Sequence, residues 1–162
     1  MGDDEFELFY ERNVDRALRL AYLVCGDARE AEDIVADAVA SVYRRWKGGY
    51  VDDLFPYLRT AIVNHGTGRI RRLARERRTS QYYDQPCPSR PFDDAIADRD
   101  ALRRAVMSLP RRQRAALVLR YYEGLSERET AGILNVREGT VKAHLSRAVH
   151  RLRLELTKET QT

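Results

Sequence analysis

The stretch LSERETAGILNVREGTVKAHLSRAVHRLR, residues 125 to 153, holds a capped helix, a tight turn and a second, basic helix. Ser126 followed by Glu129 has capping-box spacing: the hydroxyl can accept the N3 amide while the carboxylate reaches back to the N-cap amide. Asn135 stands where the chain must turn sharply, and asparagine tolerates the left-handed conformation better than most residues. The helix beyond is expected from about Glu138 to Leu156. Its Val141, Leu145, Ala148, Val149 and Leu152 recur at helical spacing, so they face the preceding helices. Gly139, Ala143, Ser146, Arg147 and His150 fall on the other side, flanked by Lys142 and Arg153. Small residues allow a backbone to come close, and Lys142 and Arg147 can reach guanine edges or phosphates. Thr140, at the helix start, can donate to a phosphate. A helix of this kind can enter a major groove. A plain helical hairpin with a solvated basic face carries the same charges, but caps, turn and small-residue face together favour DNA reading.

Working back along the chain, Gly124 is a stop signal for the helix PRRQRAALVLRYY, which Pro110 opens. Before it, Ala101, Leu102, Ala105, Val106 and Leu109 mark another helix. From Thr79 to Asp93 the text TSQYYDQPCPSRPFD has three prolines and no periodicity, which marks a flexible linker. The expected organisation is therefore residues 1–78, a linker at 79–93, and residues 94–162, both flanking domains small and helical.

The first domain is helical as well. Phe6, Phe9, Tyr10, Ala17, Leu18, Ala21 and Val24 recur at helical spacing and end at Gly26. Asp27 and Glu30 form a second capping-box pattern, opening a helix whose Ala31, Ile34, Val35, Ala38, Val39, Val42 and Trp46 share one side. Asp33, Asp37 and Arg44 lie opposite. After the loop KGGYVDD, Asp53 can cap a third helix with Pro56 in its first turn. Leu58, Ala61 and Ile62 supply its buried stripe, and the text then turns to RIRRLARERR. No convincing strand is found, so the fold class is all-α.

Charge divides the chain further. Residues 1–46 carry eleven acids against six bases, and residues 47–80 eight bases against three acids. Residues 81–100 carry five acids and two bases, and residues 101–162 thirteen bases against six acids. Two basic blocks around an acidic spacer suit two contacts with a polyanion. Cys25 and Cys87 are the two cysteines, without CxxC spacing or histidine at ligand distance, which argues against structural zinc and a disulfide scaffold. No signal peptide and no apolar run of membrane-spanning length is legible, so the expectation is a soluble cytoplasmic protein without cofactor or metal.

With both halves read, the chain resembles the extracytoplasmic-function (ECF) sigma factors, initiation subunits of bacterial RNA polymerase. SLPRRQRAALVLRYYEGLSERETAGILNVREGTVKAHLSRAVHRLR is similar to sigma region 4. AYLVCGDAREAEDIVADAVASVYRRW followed by FPYLRTAIVNHGTGRIRRLARERR is similar to sigma region 2. The resemblance implies that Asp33, Asp37 and Arg44 face core RNA polymerase at its β′ clamp helices, with the β flap a further contact. It implies that the loop from Gly48 to Leu54 and the third helix capture the −10 element, an unpaired base being held near Asn64. Tyr50, Phe55 and Tyr57 could offer packing or stacking faces, a core role being the favoured one for Phe55, and Arg69, Arg71 and Arg72 would follow phosphates. The −35 positions it implies are Lys142, Ala143, Ser146 and Arg147, on the face that helical spacing selects, with Thr140 beside them.

Three departures from the family pattern stand out. Ala36 replaces a frequent glutamine. Arg137 takes an N-cap place where serine or aspartate is expected. Gly66 and Gly68 each cost about 1 kcal/mol against alanine in a helix, so the third helix is expected to fray or bend just after Asn64.

The resulting expectation is a non-enzymatic sigma factor that directs core polymerase to a promoter class, reading −35 duplex and stabilising melted −10 DNA. Members of the class are often held inactive by an anti-sigma protein, which makes such a protein a candidate partner. The rival readings are a LuxR-type regulator, which EGTVKAHLSR also suits, a small nuclease, and an adaptor that binds polymerase without selecting DNA. Against the nuclease, His65, His144 and His150 form no metal pattern with carboxylates.

Overall fold

The computed structural model describes residues 2–49, 52–76 and 97–161, with residues 69–76 and 97–98 described as backbone only. Every regular element among them is helical, as the periodicity requires. The chain divides into two compact units, Met1–Pro88 and Ser89–Thr162.

In the first unit α1 spans Asp3–Cys25, α2 Ala28–Lys47 and α3 Phe55–Glu76, and each packs on the other two. Helix α1 ends where Gly26 takes φ 78° and returns its N–H to Tyr22 O at 2.7 Å, a left-handed C-cap that glycine adopts without a Cβ penalty. One residue later Asp27 Oδ1 accepts the Glu30 N–H at 2.8 Å and starts α2. Most of the expected stripe is buried: Ala17, Ala21 and Val24 of α1 meet Ala31, Ile34, Val35, Ala38 and Val42 of α2, with Leu58 and Ile62 of α3; Leu20 and Val63, not expected there, join them, while Leu18, Val39 and Ala61 are half-buried. Tyr10, one of the residues recurring at helical spacing in α1, is 41% exposed. An aromatic cluster ties the start of α1 to the end of α2: Phe6 lies 5.0 Å from Tyr43 and 5.5 Å from Trp46, centroid to centroid.

Asp53 Oδ1 accepts the Phe55 N–H at 3.0 Å, capping α3 as expected. The helix does not end after Asn64: α3 runs without a break from Phe55 to Glu76. Gly66 is buried, and a Cβ placed there would stand 2.8 Å from Val24 Cγ1. The glycine is thus a point of close approach between α3 and α1, and packing outweighs its poor helix propensity. Gly68, two residues on, has open space around it.

In the second unit α4 spans Ala97–Met107, α5 Arg111–Leu117, α6 Glu127–Leu134 and α7 Glu138–Thr160, so α7 is one turn longer than expected. Helix α7 packs on α4, α5 and α6. Leu102, one of the apolar residues that mark this helix in the sequence, is 46% exposed, and Ala105 and Leu109 carry the burial. Buried Arg114 donates through Nη1 to Met107 O at 3.0 Å, satisfying a carbonyl at the end of α4. That is the usual service of a cation at a helix C-terminus. The helix PRRQRAALVLRYY does not finish as a regular α-helix. Val118–Tyr122 form one π turn, in which the Glu123 N–H reaches back to Val118 O at 2.9 Å. The wider turn buries both Val118 and Leu119 while Tyr121 and Tyr122 face solvent.

Candidate nucleic-acid interface

Helices α6 and α7 form a helix-turn-helix whose geometry is fixed locally. Ser126 Oγ accepts the Glu129 N–H at 3.1 Å, and Glu129 Oε2 accepts the Ser126 N–H at 2.7 Å, so the capping box is complete. Asn135 takes φ 53° and ψ 48°, the left-handed turn expected of it. Ala116, Ala131, Val141 and Leu145 close the core beneath the turn, with Leu134 and Val136 against them. Arg137 is the N-cap of α7 and gives no side-chain cap bond. The start of α7 therefore points amides outward that no side chain at the N-cap satisfies, an arrangement suited to an anion.

Burial of Val141, Leu145 and Ala148 turns the opposite side of α7 outward. Thr140, Lys142, Ser146 and Arg147 are exposed and Ala143 is half-buried, so the five expected reading positions share one accessible surface. Lys142, Ser146, His150 and Arg153 line a shallow concavity of about 420 Å³ with Tyr121 and Glu127. Lys142 Nζ stands 3.7 Å from Glu127 Oε2. A pair this exposed is worth about 0–1 kcal/mol, so it holds the ammonium in place without preventing exchange for a phosphate. His144 is half-buried at the edge of this face. Burial first, and then the positive charges of Arg147 and Arg112, hold its imidazole below the ordinary value. Arg112 comes from α5, so the basic surface extends beyond the helix-turn-helix itself. Sequence spacing alone gave no signal of that.

In the first unit, Asp33, Asp37 and Arg44 are exposed along α2, opposite its buried stripe. The structure brings two groups of expected residues together. Asp37 and Arg44, expected to face a protein, line a concavity of about 370 Å³ with Asn64, expected to face a base, and with Ser41, His65 and Gly68. Ser41 Oγ donates to the main-chain carbonyl of Asp37 at 3.0 Å and accepts from Arg44 Nη2 at 3.3 Å. Asp33 lies outside that concavity.

The aromatic candidates divide. Phe55 is buried and carries the Arg16 guanidinium 3.6 Å above its ring. Tyr57 is 38% exposed, with the Arg45 guanidinium 4.3 Å from its centroid. Arg45 was not singled out by sequence reasoning, because its partner lies on another helix. Tyr50 and the linker at 79–93, Cys87 included, fall outside the described residues. Arg69, Arg71 and Arg72 lie on the α3 backbone, with their side chains outside the description. Cys25 is buried, its thiol donating to Asp27 O at 3.2 Å. Among the described residues no three His, Cys, Asp or Glu side chains cluster as a metal site, and no helix is long and apolar enough to cross a membrane.

Comparison with known proteins bears on both surfaces. The family Sigma-70 region 2 matches residues 9–78, and Sigma-70, region 4 matches residues 99–152. The RNA polymerase sigma-E factor of Streptomyces coelicolor is 35% identical over 94% of this chain and 86% of its own length. The ECF RNA polymerase sigma factor SigM of Mycobacterium tuberculosis is 33% identical over 91% of this chain and 74% of its own. Among solved structures, the sigma factor RpoE of Bartonella quintana, in complex with the anti-sigma factor NepR, shares the fold. Its TM-score is 0.76 at 22% identity, covering 94% of this chain and 97% of that one.

Proposed function

Since the chain belongs to the ECF family of RNA polymerase sigma factors, we propose that its two units divide promoter recognition between them. The second unit reads −35 duplex with α7. Lys142 and Arg147 contact base edges or phosphates, Ala143 and Ser146 permit close approach, and Thr140 and the open N-terminus of α7 hold a phosphate. The first unit docks core polymerase through Asp33, Asp37 and Arg44, against the β′ clamp helices. It holds the unpaired −10 strand along α3, with Asn64 at a base edge and Arg69, Arg71 and Arg72 on phosphates. Residues 1–78 and 94–162 are the corresponding functional domains, joined through 79–93. Binding the exposed strand offsets the cost of opening the duplex, and the chemistry of RNA synthesis stays with the polymerase.

The observation that carries this reading is the accessible face of α7: small at Ala143 and Ser146, cationic at Lys142 and Arg147, and backed by a completed capping box. The concavity shared by Asp37, Arg44 and Asn64 supports placing polymerase and DNA contacts side by side. An anti-sigma protein is the further partner proposed, of the kind that accompanies RpoE in its solved complex.

The deciding experiment is run-off transcription from a genomic fragment library with core polymerase, with and without this protein. Discrete start sites that depend on the protein are expected, and they reveal both promoter elements. Selective DNA binding without polymerase, and no new start sites, would favour a LuxR-type regulator instead. On a mapped promoter, Arg147→Ala is expected to cost about 1–3 kcal/mol and relax base preference at one position.

A further inference from the structure

Helix α6 opens with a carboxylate that its own structure does not require. Glu129 already completes the capping box, and a first-turn acid can favour the helix dipole while facing solvent. Glu127 instead leaves its own helix. Its side chain is 36% exposed, and Oε2 stands 3.7 Å from Lys142 Nζ on α7. The pair thus joins the two helices of the helix-turn-helix from either side of the Asn135 turn. Glu127 is also the one acid among the described residues lining the concavity beside the reading face, where Lys142 and Arg153 supply positive charge. On a surface that meets a polyanion, a lone carboxylate opposes every phosphate that approaches. Such a charge weakens binding to all sequences alike unless its partner separates one kind of contact from another.

Lysine can make that separation. An ammonium has three donors and no fixed plane, so it can serve two acceptors at once. A guanine O6 or N7 is neutral, and Lys142 can donate to it while keeping Glu127. A phosphate oxygen is charged, so bringing it to the same ammonium either sets two anions side by side or breaks the pair. We infer that Glu127 is a specificity-determining residue of the reading face, one that turns Lys142 from a general phosphate contact into a reader of a guanine edge. It penalises the phosphate contact and leaves the base contact open. The inference rests on the proposed reading of −35 duplex by α7, and within that reading it assigns Lys142 to a base. The pair is exposed and weak, so the penalty at any one site is small. Specificity is a difference between sites, and a modest penalty on every non-cognate sequence sharpens it.

The test uses the full chain, with core polymerase for transcription and alone for binding. Run-off templates carry each single-base substitution across the −35 element of a start site already mapped. Glu127→Gln is expected to lower discrimination at one position about 3- to 10-fold, part of what a full base contact supplies. Lys142→Ala loses preference at that same position. Glu127→Asp keeps a carboxylate within reach of a flexible ammonium and retains most of the discrimination. Binding to a labelled duplex of scrambled sequence is followed by fluorescence anisotropy across a salt series. There Glu127→Gln binds about 2- to 5-fold more tightly than wild type, the scale of one exposed ion pair. Its salt dependence steepens by about one counterion, because Lys142 is released to a phosphate. In a Lys142→Ala chain the same substitution changes both quantities much less, because the two residues act as a unit. An equal gain in that chain would mean that Glu127 merely repels phosphates, which overturns the assignment. If wild-type holoenzyme discriminates among the templates and Glu127→Gln discriminates equally well, the assignment is overturned and reading by α7 stands. If wild-type holoenzyme is indifferent to every −35 substitution, both are overturned. A purely structural role for Glu127 shows itself as a lowered melting temperature with discrimination lost evenly at all positions, which also overturns the assignment.

Discussion

The two units hold their helices together by different means. In the second, the angle between α6 and α7 is set within a dozen residues by the Ser126–Glu129 capping box and the left-handed Asn135. In the first, α3 is brought against α1 by a glycine more than forty residues from its neighbour, Gly66 against Val24. One geometry is written in local hydrogen bonds and backbone dihedrals. The other exists only once the helices have packed. A residue that looks like a defect in the first unit is therefore a contact, and the distinction can be tested.

The largest effect is expected at Gly66. Gly66→Val places a branched side chain where a single Cβ already meets Val24 Cγ1 at 2.8 Å. Val24 is fully buried and β-branched, so it has little freedom to yield. Overpacking of this kind costs about 3 kcal/mol, a fall in melting temperature of more than about 10 °C for a unit of this size. Thermal denaturation followed by circular dichroism measures it. Val24→Ala in the same chain removes the opposing methyl and recovers part of the loss. An unchanged melting temperature for Gly66→Val would mean that α1 and α3 do not approach as described.

Ser126→Ala comes next. It removes one acceptor from the capping box and costs about 1 kcal/mol. Being local, the loss is expected in the second unit and, on the proposed function, in duplex binding by α7. Weakened polymerase docking in this variant, with duplex binding intact, would contradict the division of labour.

Gly68→Ala is smaller and opposite in sign. Nothing stands within 4 Å of a Cβ at this position, so alanine gains its helix propensity without a clash, about 0.5–1 kcal/mol of added stability. Two glycines on one helix, two residues apart, thus respond in opposite directions, and only packing distinguishes them.

That contrast also shows what was legible in the sequence. The helix-turn-helix could be read almost residue by residue, because caps, turns and the alternation of Val141, Leu145 and Ala148 with Lys142, Ser146 and Arg147 are local signals. The all-helical class followed from the same periodicity. The role of Gly66 as a point of close approach could not be read, because propensity sees a helix in isolation. Arg45 over Tyr57, and Arg112 near His144, could not be read, since each pair joins different helices and no spacing rule connects them. Leu102 and Tyr10 recur at helical spacing with buried residues yet are exposed, because the neighbouring helices do not cover the whole apolar face.

The smallest effect is a pH dependence centred on His144, and its two readouts have opposite signs. The folded imidazole is held below the ordinary value of about 6.5, first by burial and then by Arg147 and Arg112. Above that value both folded and unfolded chains are neutral at this residue, and it contributes nothing. As the pH falls through it, the unfolded chain takes up a proton first and stability declines, levelling off once the pH passes below the folded value. The side chain is only half-buried, so solvent screening keeps the decline shallow. If α7 reads duplex DNA as proposed, phosphates beside Arg147 offset the positive charge that disfavours protonation, so binding is expected to tighten over the same interval. His144→Gln should flatten both curves between about pH 7 and 5.5. Melting temperatures and duplex anisotropy across that interval provide the two measurements. If acidification strengthens DNA binding equally in wild type and His144→Gln, the effect belongs to other groups, and His144 is then a packing residue at the edge of the reading face.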